Sequence, residues 1–180
     1  NLLTDFLNQI LPAHHQIHQL QFRNVENLPD FADERKAIFD VFCQTSTGER
    51  FIVEMQKARA KHFQDRSLFY ITFPIREQGQ VGASWDFRLS AVYLVAILDF
   101  EYDDKHSAHR KFRRDVSLKD QDGELFSDKL HFCFLQMPLF QKQEHELSSH
   151  FDKWCYFFKH LARFEDMPNI LNEPVFQQAF

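Results

Sequence analysis

Apolar residues recur at steps of three and four from the start of the chain. Leu2, Leu3, Phe6, Leu7, Ile10 and Leu11 fall on one face of a helix that Pro12 helps to end. Over residues 16 to 25 the pattern thins to Ile17, Leu20, Phe22 and Val25 among polar neighbours, a faint strand, and the acidic stretch to Glu34 reads as a loop. Two short runs rich in Phe, Ile and Val follow, Lys36 to Gln44 and Arg50 to Lys57. Thr45, Ser46, Thr47, Gly48 and Glu49 separate them, so they predict a β-hairpin. From Ala58 to about Gln78 there is no glycine, and Phe63, Ser67, Tyr70 and Phe73 or Pro74 sit at helical spacing. This predicts a second helix, kinked in its last turns by Pro74.

Ala91 to Phe100 is continuously apolar up to Asp99, as expected of a central strand covered on both faces. Lys111 to Leu118 and Lys129 to Gln136 predict further strands, and Glu146 to Arg163 and Glu173 to Phe180 predict helices. Together these elements describe an α/β domain with a mixed central sheet flanked by helices.

At 180 residues one domain, 1–180, is the expectation, and 22 phenylalanines against 4 glycines indicate a core of large rings. The three cysteines, Cys43, Cys133 and Cys155, form no close pair, which argues against a disulfide framework or a cysteine-based zinc site. No apolar run approaches the roughly 20 residues of a membrane span and no signal-peptide pattern opens the chain, so a soluble, cytoplasmic protein is expected. A net charge of -5 excludes an evenly basic nucleic-acid binder, and any DNA surface must be a local patch. Asn1 stands where the helical pattern has already begun, so the chain reads as a fragment trimmed at both ends.

The candidate chemistry lies on the hairpin. With residues 45 to 49 as the loop, Gln44 pairs with Arg50, Phe42 faces Ile52, and Asp40 faces Glu54. Opposed residues have Cβ atoms roughly 4.5 to 5.5 Å apart, so two ionised carboxylates there repel unless a cation or a proton lies between them. Side chains alternate along a strand, so Gln56 shares the face of Glu54. Asp40, Glu54 and Gln56 are thus the candidate catalytic cluster, with Asp40 and Glu54 as ligands of one or two magnesium ions, which prefer hard oxygen donors. Such an ion suits phosphodiester hydrolysis. The plainer alternative is that the two acids sit at a solvated edge or pair with Arg35, Lys36 or Arg66.

The run Ala37-Ile38-Phe39-Asp40-Val41, the loop ending Gly48-Glu49, and Phe51-Ile52-Val53-Glu54-Met55-Gln56 resemble the core of the PD-(D/E)XK nuclease family transposases, or recombination-promoting nucleases. The resemblance continues through Phe63, Asp65-Arg66-Ser67, Tyr70, Pro74-Ile75, Ala96-Ile97-Leu98-Asp99-Phe100, Leu135 to Phe140 and Asp152-Lys153-Trp154, and so covers nearly the whole chain. It implies a restriction-endonuclease-like core, with Asp40 in the first acidic position, Glu54 in the second, and Gln56 where the superfamily more often carries lysine. Phe39 departs from the proline of the superfamily's name, and Gln136 stands where relatives often have glutamate. The family segment before Asn1, with any acidic residue it carries, is absent.

By the same resemblance the expected activity is that of a magnesium-dependent DNA endonuclease acting on duplex DNA with no organic cofactor, and a homodimer would suit it, since cutting both strands takes two cleavages. Lys57, Arg59 and Lys61, at an expected basic helix start, and Arg66 and Tyr70, four apart on the second helix, are the candidate DNA contacts. A basic stretch from Lys105 to Arg114 reads as a solvated loop or a backbone track. His14, His15 and His18 lack the carboxylate spacing of a zinc motif, and the stripe Phe151, Trp154, Phe157, Phe158 and Leu161 reads as packing. Two rival functions remain: a DNA-binding or assembly module that keeps the fold without turnover, and a hydrolase using the carboxylates as an acid and base pair. The first need not bind magnesium; the second would raise one carboxylate pKa and survive chelation.

Overall fold

The apolar stripe at the N-terminus folds as helix α1, Leu2–Ile10, capped by the Asn1 side chain, which accepts from the Leu3 N–H. The computed structural model describes residues 1–12, 16–23, 39–79, 85–102 and 110–179. Of the sequence-based expectations, His14, His15, Val25, the acidic stretch to Glu34, Arg35 to Ile38, Lys105 to His109 and Phe180 lie outside the described residues.

Six described strands form one sheet: β1 (Leu20–Phe22), β2 (Val41–Thr45), β3 (Arg50–Gln56), β4 (Val92–Leu98), β5 (Arg113–Lys119) and β6 (Leu125–Gln136). Their spatial order is β1-β2-β3-β4-β6-β5. The β3-β4 and β4-β6 pairs are parallel and the others antiparallel, so the sheet is mixed, with the apolar β4 near its middle. A parallel pair needs a crossover connection. Helix α2, Phe63–Arg76, supplies it between β3 and β4.

Strand alternation divides the core in two. Cys43, Phe51, Val53, Val95, Ile97, Cys133 and Leu135 face one side, where they pack beneath α1 and helix α3, His150–His160. Phe42, Ile52, Leu94, Ala96, Leu98, Phe132 and Phe134 face the other, beneath α2. The helices of the first layer are tied by Asp5, whose Oδ1 accepts from Trp154 Nε1 and meets His150 Nε2, each at 2.6 Å. The expected aromatic stripe is packing: Trp154 and Phe157 are buried, although Leu161 at its end is exposed.

Several boundaries differ from the sequence pattern. The second helix begins at Phe63 rather than near Ala58, and Pro74 lies inside it without ending it. In the last turn the Pro74 carbonyl accepts from the buried Arg50 guanidinium and from Gln78 Nε2. The C-terminal segment forms short 3-10 turns at Asn169–Leu171 and Phe176–Ala179 instead of an α-helix. Strand β6 starts four residues earlier than expected, because its exposed first half is held by pairing with β5 rather than by burial.

Candidate metal centre

The hairpin register is the expected one: Gln44 pairs with Arg50, Phe42 with Ile52 and Val41 with Val53. Asp40, at the bend just before β2, is therefore carried to the level of Glu54. The Asp40 N–H donates to Glu54 Oε1 at 3.3 Å, and Asp40 Oδ2 accepts from the Met55 N–H at 2.7 Å. Asp40 is exposed, whereas Glu54 is 7 % exposed. The Asp40 position is anchored from below by Phe39, 2 % exposed, whose ring lies 5.6 Å from that of Phe42 and 5.4 Å from that of Tyr70. This packing is what the residue standing in place of the superfamily proline does here.

Helix α2 completes the cluster. Arg66 Nη2 lies 3.9 Å from Glu54 Oε2, and Arg66 Nη1 donates to Gln56 Oε1 at 3.5 Å. The same guanidinium lies 4.7 Å from the centre of the Tyr70 ring, as the four-residue spacing allows. The structure thus brings together Asp40, Glu54, Gln56, Arg66 and Tyr70. It does not place Lys57, Arg59 and Lys61 at a helix start: β3 ends at Gln56, α2 begins at Phe63, and the three basic residues lie exposed on the connection between them. That connection is irregular because His62 takes a left-handed conformation, φ 56°, immediately before the helix.

Burial and the neighbouring Asp40 charge push the Glu54 carboxyl up to about 7, against the smaller opposing pull of the Asp40 N–H and of Arg66. A cation favours the ionised form of such a carboxyl, which burial and a second carboxylate disfavour. The donors on offer are two carboxylates and a carboxamide oxygen, all hard, with no thiolate or imidazole among them. Among the described residues no three His, Cys, Asp or Glu side chains converge on one metal position. The set fits an ion that keeps several waters and takes one or two carboxylates, as magnesium does.

Gln136 does not join the cluster. Its buried carboxamide accepts from the Tyr102 N–H at 3.1 Å and donates to the Lys111 carbonyl at 2.8 Å, bridging the two flanks of the connection from β4 to β5. A glutamate could accept but not donate. Nothing in the spacing of the sequence announces this use, or the backbone contact from Met55 to Asp40.

The family model of the PD-(D/E)XK nuclease family transposases matches residues 1–180. The chain belongs to this family. No curated protein and no solved structure matches it significantly. As in the nuclease fold of that family, the mixed sheet is flanked by helices, and among the described residues no helix of this transposase-family protein is long and apolar enough to cross a membrane. A cavity of about 260 Å³ lies on the opposite face of the sheet, between α1 and residues such as Phe51, Tyr93 and Cys133. It is separate from Asp40 and Glu54.

Proposed function

We propose that this family member is a magnesium-dependent endonuclease that hydrolyses phosphodiester bonds of duplex DNA. The observation that carries the reading is the juxtaposition of Asp40 and Glu54, in which burial and the neighbouring Asp40 charge make Glu54 costly to ionise without a cation. Asp40 and Glu54 would hold the metal, with Gln56 as an auxiliary oxygen donor. When bound, magnesium supplies Lewis-acid stabilisation of phosphate charge and lowers the pKa of water. In the net reaction water adds across one P–O ester bond of the backbone.

The chain's own residues divide the remaining work. The Met55 N–H fixes the Asp40 carboxylate, and the Asp40 N–H fixes that of Glu54, so neither needs reorganising. Arg66 stands beside them on α2, supported by Tyr70, where a planar guanidinium suits a phosphate. Lys57, Arg59 and Lys61 on the exposed connection are the proposed backbone contacts of the flanking DNA, in keeping with a chain that is acidic overall and must concentrate its positive charge.

The raised Glu54 carboxyl also favours a second reading, in which Glu54 and Asp40 act as a general acid and base without metal. Plasmid cleavage separates the two. The nuclease reading expects nicking and linearisation with magnesium, abolished by EDTA and by Asp40→Ala and Glu54→Ala. Cleavage that survives EDTA selects the acid and base pair. A folded parent that neither cleaves nor binds magnesium selects the module that keeps the fold without turnover.

A further inference from the structure

We propose that Arg66 is the resident counter-cation of the carboxylate site, which an incoming divalent cation must displace. The inference rests on the reading of Asp40 and Glu54 as metal ligands and adds a competition to it. Arg66 reaches both Glu54 and Gln56, yet at 3.9 and 3.5 Å, the outer limit of an ion pair and of a hydrogen bond. Neither is the short bidentate contact that a committed arginine–carboxylate pair makes.

The two partners differ in freedom. Glu54 is almost fully buried on a strand in the interior of the sheet, while the Arg66 side chain is 39 % exposed on a helix surface. Of the two, the arginine is the one able to withdraw. In the same position the guanidinium lies 4.7 Å from the centre of the Tyr70 ring, which is itself held against Phe39 and offers a contact that does not depend on the carboxylates. A guanidinium and a divalent ion close to the same carboxylates repel one another, so the metal binds against the charge of Arg66.

Removing that charge therefore strengthens metal binding. Calorimetric titration of magnesium into the folded parent, Arg66→Gln, Arg66→Met, Arg66→Lys and Glu54→Gln, at pH 8.5 and low salt, reads the effect without any turnover. The neutral variants are expected to bind magnesium about three- to tenfold more tightly than the parent, the scale of a single like charge a few ångströms away in a solvated site. Arg66→Lys should stay near the parent, and Glu54→Gln should lose binding. Unchanged or weaker binding by both neutral variants, with Glu54→Gln still deficient, overturns the role of Arg66 alone. Equal tightening in Arg66→Lys overturns it too, since that variant keeps the charge. No magnesium binding by the parent overturns the metal reading itself, and this inference with it.

Discussion

The Asp40 N–H donates to the Glu54 carboxylate at 3.3 Å, while the Asp40 carboxylate accepts from Met55, one residue further along β3 at 2.7 Å. Each acid is thus oriented by the strand of the other. Orientation by backbone leaves both acids with oxygen atoms to spare at the open end of the β2-β3 hairpin.

Burying Glu54 beside Asp40 has a cost that depends on pH. The Glu54 carboxyl stands near 4.5 in an unfolded chain and at about 7 in the folded one. Between these values the folded state holds a proton that the unfolded state has lost, so metal-free stability falls as pH rises from below 4.5 through 7. Glu54→Gln removes the penalty, and at pH 8 without metal it should stabilise the protein by up to about 3 kcal/mol. Chemical denaturation at pH 5 and pH 8 checks it: the gain should appear at pH 8 and fade towards pH 5. A variant that is less stable at both would remove the electrostatic account of the pair.

The catalytic role proposed for Asp40 separates from stability, because its side chain is exposed. Asp40→Ala should lower the rate of plasmid nicking by about 10²-fold or more while thermal stability changes little. Rates matched to the parent at equal folded concentration would remove Asp40 from the site.

Gln136→Glu tests the bridge from Tyr102 to Lys111. A carboxylate keeps the bond from the Tyr102 N–H but cannot donate to the Lys111 carbonyl, and it is buried. Stability at pH 8 should drop by about 1–3 kcal/mol, with part of the loss recovered at acidic pH where the carboxyl can donate. Urea midpoints at the two pH values decide it, and no loss at pH 8 would show that this bridge contributes nothing.

Arg50 occupies the other end of β3. It is 9 % exposed, donates to the Pro74 carbonyl inside α2 and lies 3.4 Å from Glu77, which also pairs with Arg23. Arg50→Met leaves the Glu77 charge partly uncompensated and the Pro74 carbonyl without the guanidinium. The expected cost is about 3 kcal/mol, and Arg50→Met/Glu77→Gln should recover part of it in the same urea assay. Full stability of the single variant would contradict the clamp.

Much of this was legible in the residues because the governing signals are local. The two hydrophobic runs around Thr45 to Glu49 set the hairpin register, and with it the approach of Asp40 to Glu54, before any tertiary contact is considered. The apolar Ala91 to Phe100 run identified a central strand for the same reason. What escaped depends on partners distant in sequence. The Pro74 carbonyl inside α2 is engaged by Arg50, 24 residues away, and Gln136 is turned from the cluster by backbone groups 34 and 25 residues away. The start of α2 was misplaced because Ala58 to Lys61 carry helix-compatible residues that the left-handed His62 separates from the helix.

The central claim is that Asp40 and Glu54 together hold the metal. Crystals of the protein soaked in manganese, a hard divalent stand-in whose anomalous scattering locates it, address this directly. The account predicts anomalous density within metal–oxygen bonding distance of both the Asp40 and Glu54 carboxylates, with Arg66 withdrawn from Glu54. Manganese bound elsewhere, or absent while the pair keeps the arrangement described above, would contradict it.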